Sequence, residues 1–302
     1  MTKKIIIVTG PTASGKTSFS IKLAQDLKGE IINADSLQVY RENPIISAQP
    51  TKQEQKNIPH HLFSYVGGDE EYNVSRWIED AKEKIETVEM PILVGGTGFY
   101  LKHLMFGLSP IPDIDSEIKL EAENLLTNIG LKEFYQILKQ LDPVTAVDID
   151  YNNARRVLRA YEVIKSTGKS LSEWQKQNIQ YFPLSSFRVI ILNPDREILY
   201  QNCNKRFLEM IDLGVIDEVK NLLEKHYSPI SGIMKSHGIP ELSKYLSGEW
   251  NLEEAIAKSQ QVTRNYIKRQ TTWFKYQFNH PELKIHFVQD VKNYSEILDF
   301  IF

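Results

Sequence analysis

The sequence predicts an α/β fold, a parallel sheet core flanked by helices and interrupted by an all-helical insertion. Three observations carry that reading. Short apolar runs, Ile5-Ile6-Ile7-Val8, Ile31-Ile32-Asn33-Ala34 and Ile92-Leu93-Val94, are separated by helical segments, the pattern of parallel strands joined by crossover helices. Each run ends in a polar or glycine-rich turn. After Pro110 and Pro112 strand character is lost for roughly seventy residues, then returns at Val189-Ile190-Ile191-Leu192.

Taken in order, the first apolar run leads through Gly10-Pro11-Thr12-Ala13-Ser14-Gly15-Lys16-Thr17 into a helical stretch with Phe19, Leu23, Ala24 and Leu27 about one turn apart. The second run ends at Asp35-Ser36. The third ends at Gly95-Gly96-Thr97-Gly98, read as a tight strand-to-helix turn that needs positive φ. In open sheets of this kind function collects beyond the carboxyl ends of the strands, where all three turns fall. Helical periodicity then covers 120–126, 134–141 and 155–164, with Gly130, Asp142-Pro143 and Gly168 as stop and start signals. The core resumes near Phe187, continues through amphipathic runs at 198–213, 216–223 and 252–278, and closes with an edge strand at 284–287. The expected organisation is a catalytic core in two parts, 1–112 and 185–302, around a helical insertion at 113–184; a length of 302 residues by itself suits one core with an insertion or two domains.

Composition excludes several classes. With 41% apolar and 25% charged residues the chain is neither disordered, collagen-like nor fibrous. Its single cysteine, Cys203, can form neither an internal disulfide nor a multi-thiolate zinc site, which points to a reducing, cytoplasmic setting. Lys3 and Lys4 precede only a short apolar run, so neither a signal peptide nor a membrane span is expected. A net charge of −3 argues against a general nucleic-acid coat. The distribution is uneven, however. Residues 255–281 contain no acid but carry Lys258, Arg264, Lys268, Arg269 and Lys275, and Arg155, Arg156, Arg159, Lys165 and Lys169 face only Glu162. Such patches fit a polyanion bound at a defined place; each could equally be a solvated helix face.

The segment from Gly10 to Thr17 matches G-x-x-x-x-G-K-[ST] between a predicted strand and a predicted helix, so the core is P-loop NTPase-like. Successive backbone N–H groups wrap a phosphate, the helix N-terminus adds partial positive charge, Lys16 neutralises oxygens and the Thr17 hydroxyl is the expected Mg²⁺ ligand. The motif establishes a polyphosphate or pyrophosphate site, not a reaction. Asp35 projects into the same crevice as a turn aspartate, a metal ligand or a general base. No carboxylate ends the third strand where a Walker-B aspartate would stand; Thr97 is there instead, able to orient a nucleophile or bond a leaving oxygen. His60, His61, Cys203 and His237 have no zinc spacing. Tyr266, Arg269, Gln270, Trp273 and Gln277 share a helix face, either a stacking surface for bases or a core stripe with Lys268 and Arg269 at its wet edge.

Together these strings resemble the tRNA dimethylallyltransferase (tRNA isopentenyltransferase) family nearly end to end. Beside the Gly10 to Thr17 loop, the resemblance lies in Asp35-Ser36-Leu37-Gln38-Val39-Tyr40-Arg41, Pro59-His60-His61-Leu62, Val94 through Leu101, Asp142-Pro143 with Ala146, and Arg156-Val157-Leu158-Arg159-Ala160 with Glu162. It continues through Arg206, Met210, Gly214, Glu218-Val219 and Thr263-Arg264 to Lys268-Arg269-Gln270 and Thr272-Trp273-Phe274. The resemblance implies transfer of a dimethylallyl group from dimethylallyl diphosphate to N6 of the adenosine next to the anticodon, with release of diphosphate. It implies Asp35 and Thr97 as catalytic residues, and diphosphate held by Gly10, Pro11, Thr12, Ala13, Ser14, Gly15, Lys16, Thr17 and Arg206, with Mg²⁺ on Thr17. The tRNA anticodon stem-loop would be held by Asp35, Ser36, Leu37, Gln38, Arg155, Arg156, Val157, Leu158, Arg159, Lys268 and Arg269. A monomer is expected, and ATP enters the loop only as a competitor.

Departures from the family pattern are Asn202 in place of a first arginine before Arg206, Gln49 in Ser47-Ala48-Gln49-Pro50 in place of a lysine, and Gly238-Ile239-Pro240-Glu241. Two other readings of the residues stay open: a P-loop kinase for a small molecule or nucleotide, with Asp35 on substrate or metal, and a non-catalytic RNA-binding protein with a relic loop.

Overall fold

The structure, a computed structural model, describes residues 3–228, 231–290 and 294–302. It divides into two compact units, 1–105 with 182–302, and 106–181. The chain begins with β1 (Ile5–Thr9), α1 (Lys16–Leu27), β2 (Glu30–Asn33), α2 (Lys52–Gln55), β3 (His60–His61), α3 (Val74–Thr87), β4 (Pro91–Gly95) and α4 (Gly98–Phe106). Four helices follow, α5 (Ser116–Leu141), α6 (Pro143–Asp148), α7 (Ala154–Thr167) and α8 (Leu171–Gln175). The first unit resumes with β5 (Phe187–Leu192), α9 (Arg196–Asp212), α10 (Val215–Glu224), α11 (Ile239–Leu246), α12 (Leu252–Gln277), β6 (Lys284–Val288) and α13 (Tyr294–Ile301).

The six strands form one parallel sheet in the order β3-β2-β4-β1-β5-β6. A parallel strand covered on both faces is written as an unbroken apolar run. Accordingly every residue of β1, β4 and β5 is buried, whereas β6 at the edge is largely accessible. Ile6 and Val8 of β1 pack with Phe19, Ile21 and Leu23 of α1 and with Ile297 and Ile301 of α13. Because β4 lies between β1 and β2, the carboxyl ends of these three strands adjoin, and the turns after them share one crevice.

The 106–181 unit is helical around Ala122, Phe134, Leu138, Ala146, Val157, Ala160 and Tyr161. Gly130, at φ 78 and ψ 165, breaks α5 into two helical pieces. The unit begins at 106 where the sequence suggested 113, because Leu108 and Ile179 exchange backbone bonds of 3.3 and 3.0 Å that tie the ends of the segment together. It closes at 181 where the sequence suggested 184. Phe182 already belongs to the larger unit and packs edge-on against Phe187 of β5, with ring centroids 6.3 Å apart.

Candidate active site

A cavity of about 570 Å³ opens beyond the strand ends of the larger unit, a size typical of small-molecule sites. Thr12 to Thr17, Asp35 to Gln38, Thr97 and Arg206 all line it. Gly10 and Pro11 do not, but their carbonyls accept from Lys16 Nζ at 3.0 and 2.7 Å. Lys268 and Arg269 of α12 are exposed and outside the lining, and Arg155 to Arg159 belong to the other unit.

The loop geometry follows from its glycines and from the helix it feeds. Gly10, at φ 144, lies so close to β5 that a Cβ there would stand 2.1 Å from the Leu192 carbonyl oxygen. Gly15, at φ 84, starts α1 without a side-chain cap, leaving the helix N-terminus open to an anion. Burial lowers the Lys16 pKa to about 8; Asp35 works against that shift and Arg206 adds to it. Arg206 donates to the Thr12 hydroxyl at 2.6 Å. Asn202, at the position of the absent arginine, donates to the Ala13 carbonyl at 3.3 Å, so a loop contact survives without the charge.

Asn33, read from sequence only as a strand residue, holds Asp35 from two sides. Its Oδ1 accepts the Asp35 N–H at 2.8 Å and its Nδ2 donates to the Asp35 carbonyl at 3.0 Å. Asp35 Oδ1 accepts the Leu37 N–H at 3.0 Å, which leaves Oδ2 for a ligand. The Thr97 hydroxyl accepts the Ser36 N–H at 2.9 Å and donates to Ser36 Oγ at 3.2 Å. None of Gly95, Gly96 and Gly98 has positive φ, contrary to the sequence expectation. Gly95 and Gly98 are needed for close approach: a Cβ on Gly95 would lie 2.1 Å from the Ala34 carbonyl, and one on Gly98 2.2 Å from the Trp273 ring.

Thr263, Tyr266 and Gln270 of α12 line the cavity with His237. His237 meets Tyr266 edge-on at 4.6 Å. Burial and the nearby Arg269 hold its pKa below the ordinary value, with Asp35 opposing. Burial, with Asp35, pushes the Tyr266 phenol up to about 12. The spacing of Tyr266 and Gln270 was the available signal; nothing in the sequence marked His237 or Asn33 as part of the site.

Val157, grouped by sequence with the tRNA contacts, is fully buried among the helices of its unit and serves packing there, and Leu158 packs against the same core. Arg155 and Arg156 are exposed, and Arg159 pairs with Glu162 at 3.4 Å. Among the described residues no cluster of His, Cys, Asp or Glu could cage a metal. The donor set fits Mg²⁺ only as an ion carried largely by phosphate oxygens, with Thr17 and the buried, unpartnered Ser14 hydroxyl both on the cavity lining. No described helix is long and apolar enough to cross a membrane.

Fold and cavity define a P-loop protein whose site lacks an acid at the end of β4. Residues 38–277 match the IPP transferase family and residues 3–62 the isopentenyl transferase family. The chain is 41% identical over 298 residues to a tRNA dimethylallyltransferase of Ehrlichia canis (strain Jake), covering 96% of this chain and 99% of that one. It is 44% identical over 283 residues to one from Wolbachia pipientis subsp. Culex pipiens (strain wPip), covering 92% and 94%. Among solved structures, the tRNA isopentenylpyrophosphate transferase of Bacillus halodurans matches with a TM-score of 0.68 at 33% identity, covering 99% of this chain and 94% of that one. A eukaryotic dimethylallyltransferase acting on tRNA matches with a TM-score of 0.81 at 29% identity, covering 99% and 77%. The chain belongs to the IPP transferase family.

Proposed function

We propose that this chain transfers a dimethylallyl group from dimethylallyl diphosphate to N6 of the adenosine next to the anticodon of tRNA. The observation that carries the reading is the pairing of a phosphate loop with Asp35 beyond the end of β2 and a threonine, not an acid, beyond the end of β4. No γ-phosphoryl group has to be moved, so a Walker-B carboxylate is not required, which weighs against a kinase.

In this mechanism the adenine N6 lone pair attacks the allylic carbon as the carbon–oxygen bond to diphosphate breaks, its electron pair leaving on the diphosphate oxygen. The N6 proton passes to Asp35 Oδ2, the carboxylate oxygen not engaged by Leu37. Lys16, Arg206 and the loop N–H groups stabilise the charge that develops on diphosphate. Mg²⁺ at Thr17 would supply further neutralisation of the leaving group. The adenine must leave its stack to reach such a crevice, where Asp35, Ser36 and Gln38 form its polar receptor.

The test is incubation with an unmodified anticodon stem-loop RNA and dimethylallyl diphosphate, followed by nucleoside mass analysis. One dimethylallyl group on adenosine with stoichiometric diphosphate is expected. In a parallel reaction supplied with ATP, release of ADP with a phosphorylated product and no prenylated adenosine would overturn the reading in favour of a kinase.

A further inference from the structure

Glu218, in the first turn of α10, makes contacts outside its own helix. Its two carboxylate oxygens accept the backbone N–H groups of Ile45 and Ile46, each at 2.8 Å. Burial raises its pKa and these two bonds oppose the rise. The next two residues of the clamped loop, Ser47 and Ala48, direct their carbonyls at Gln38 Nε2, at 3.0 and 2.9 Å. Gln49 donates to the Tyr40 carbonyl at 2.8 Å and braces the same loop.

These carbonyls decide which way the Gln38 amide faces. Two acceptors require the NH₂ group, so the carbonyl oxygen is turned away from the loop. That oxygen has no hydrogen bond among the described residues, and Gln38 lines the cavity. Gln38 is thus presented as an acceptor, which suits an exocyclic amine and opposes an exocyclic carbonyl.

We propose that Glu218 is a positioning residue that, through residues 45–48, locks the Gln38 amide oxygen toward the cavity and so selects an amino-purine over an oxo-purine. The inference rests on the transferase reading. A carboxylate that merely favoured the N-terminus of α10 would affect stability without altering this selection.

The experiment compares binding of two stem-loop RNAs, with adenosine or inosine at the acceptor position, to the wild-type chain and to Glu218→Gln and Gln38→Met. The wild type is expected to prefer adenosine by about tenfold or more, and both variants to lose about threefold or more of that preference, the remainder belonging to Asp35, while affinity for inorganic diphosphate stays within about twofold. The double variant should be no worse than Gln38→Met alone. If thermal melting finds Glu218→Gln unfolded, Glu218→Asp replaces it and the same ratio decides. Absence of prenyl transfer by the wild type would overturn the transferase reading; transfer with an undiminished adenosine preference in a folded Glu218 variant would overturn the positioning role alone.

Discussion

Gln270 accepts the backbone N–H of Thr12 at 2.9 Å from a position 258 residues further along the chain. Its Nε2 donates to the Gly96 carbonyl, also at 2.9 Å. One buried amide therefore joins the phosphate loop to the turn after β4. Gln270→Leu keeps the volume but leaves both backbone groups without their partner. The expected loss is about 1–3 kcal/mol in urea unfolding, with weaker binding of diphosphate. An unchanged midpoint and affinity would mean that water replaces the amide without consequence.

On the transferase reading, Lys16 should connect pH to donor binding. Burial lowers its pKa to about 8, below the ordinary lysine value, so it loses its proton as pH rises through that point. Diphosphate prefers the protonated form. Affinity for inorganic diphosphate should therefore hold steady at lower pH and fall by up to about tenfold per unit once the lysine has lost its proton. Titration calorimetry from roughly pH 7 to roughly pH 10 checks this against Lys16→Ala, which should bind weakly and lack the break.

Asp35→Asn retains an acceptor for the Leu37 N–H and replaces the free carboxylate oxygen by an amide. The chemical step should fall roughly 10²–10⁴-fold with little change in RNA affinity. A single-turnover rate within about threefold of wild type would return Asp35 to a positioning role.

The strands were legible because burial on both faces leaves continuous apolar runs, as in β1, β4 and β5. The two-residue β3 is too short to leave such a mark, and its histidines are tied instead to Ile58 and Glu30. The phosphate loop and Asp35 were legible because their spacing is local. Partners set far apart were not. The face holding Tyr266, Gln270 and Trp273 could be read as a surface for bases, yet Trp273 packs on Gly98 and Phe278, away from the cavity lining. Tyr266 and Gln270 do line the cavity, but Gln270 is buried there as a bridge between two turns and not as a stacking surface.

The insertion arginines sit where the helix that carries them does not favour positive charge. Arg155 and Arg156 stand in the first turn of α7, which contains no acid, so their charges oppose the helix dipole. Each such placement costs about 0.3–1 kcal/mol, a poor arrangement for a helix face with no partner and a good one for a phosphate. Arg159 is partly neutralised by Glu162 and should contribute less. Replacing Arg155 and Arg156 by alanine is therefore expected to lower the slope of log affinity against log salt by roughly 0.7–0.9 per lost contact, whatever the stem-loop sequence. It should also raise the thermal stability of α7 slightly, because the unfavourable dipole interaction is removed. Lys268→Ala/Arg269→Ala serves as the comparison; Arg269 lies over the Tyr266 ring at 5.5 Å, so its loss should disturb that cavity wall as well as any phosphate contact. Salt titrations of stem-loop binding decide between grip and solvated face, since unchanged slopes in both pairs would leave RNA held by other residues.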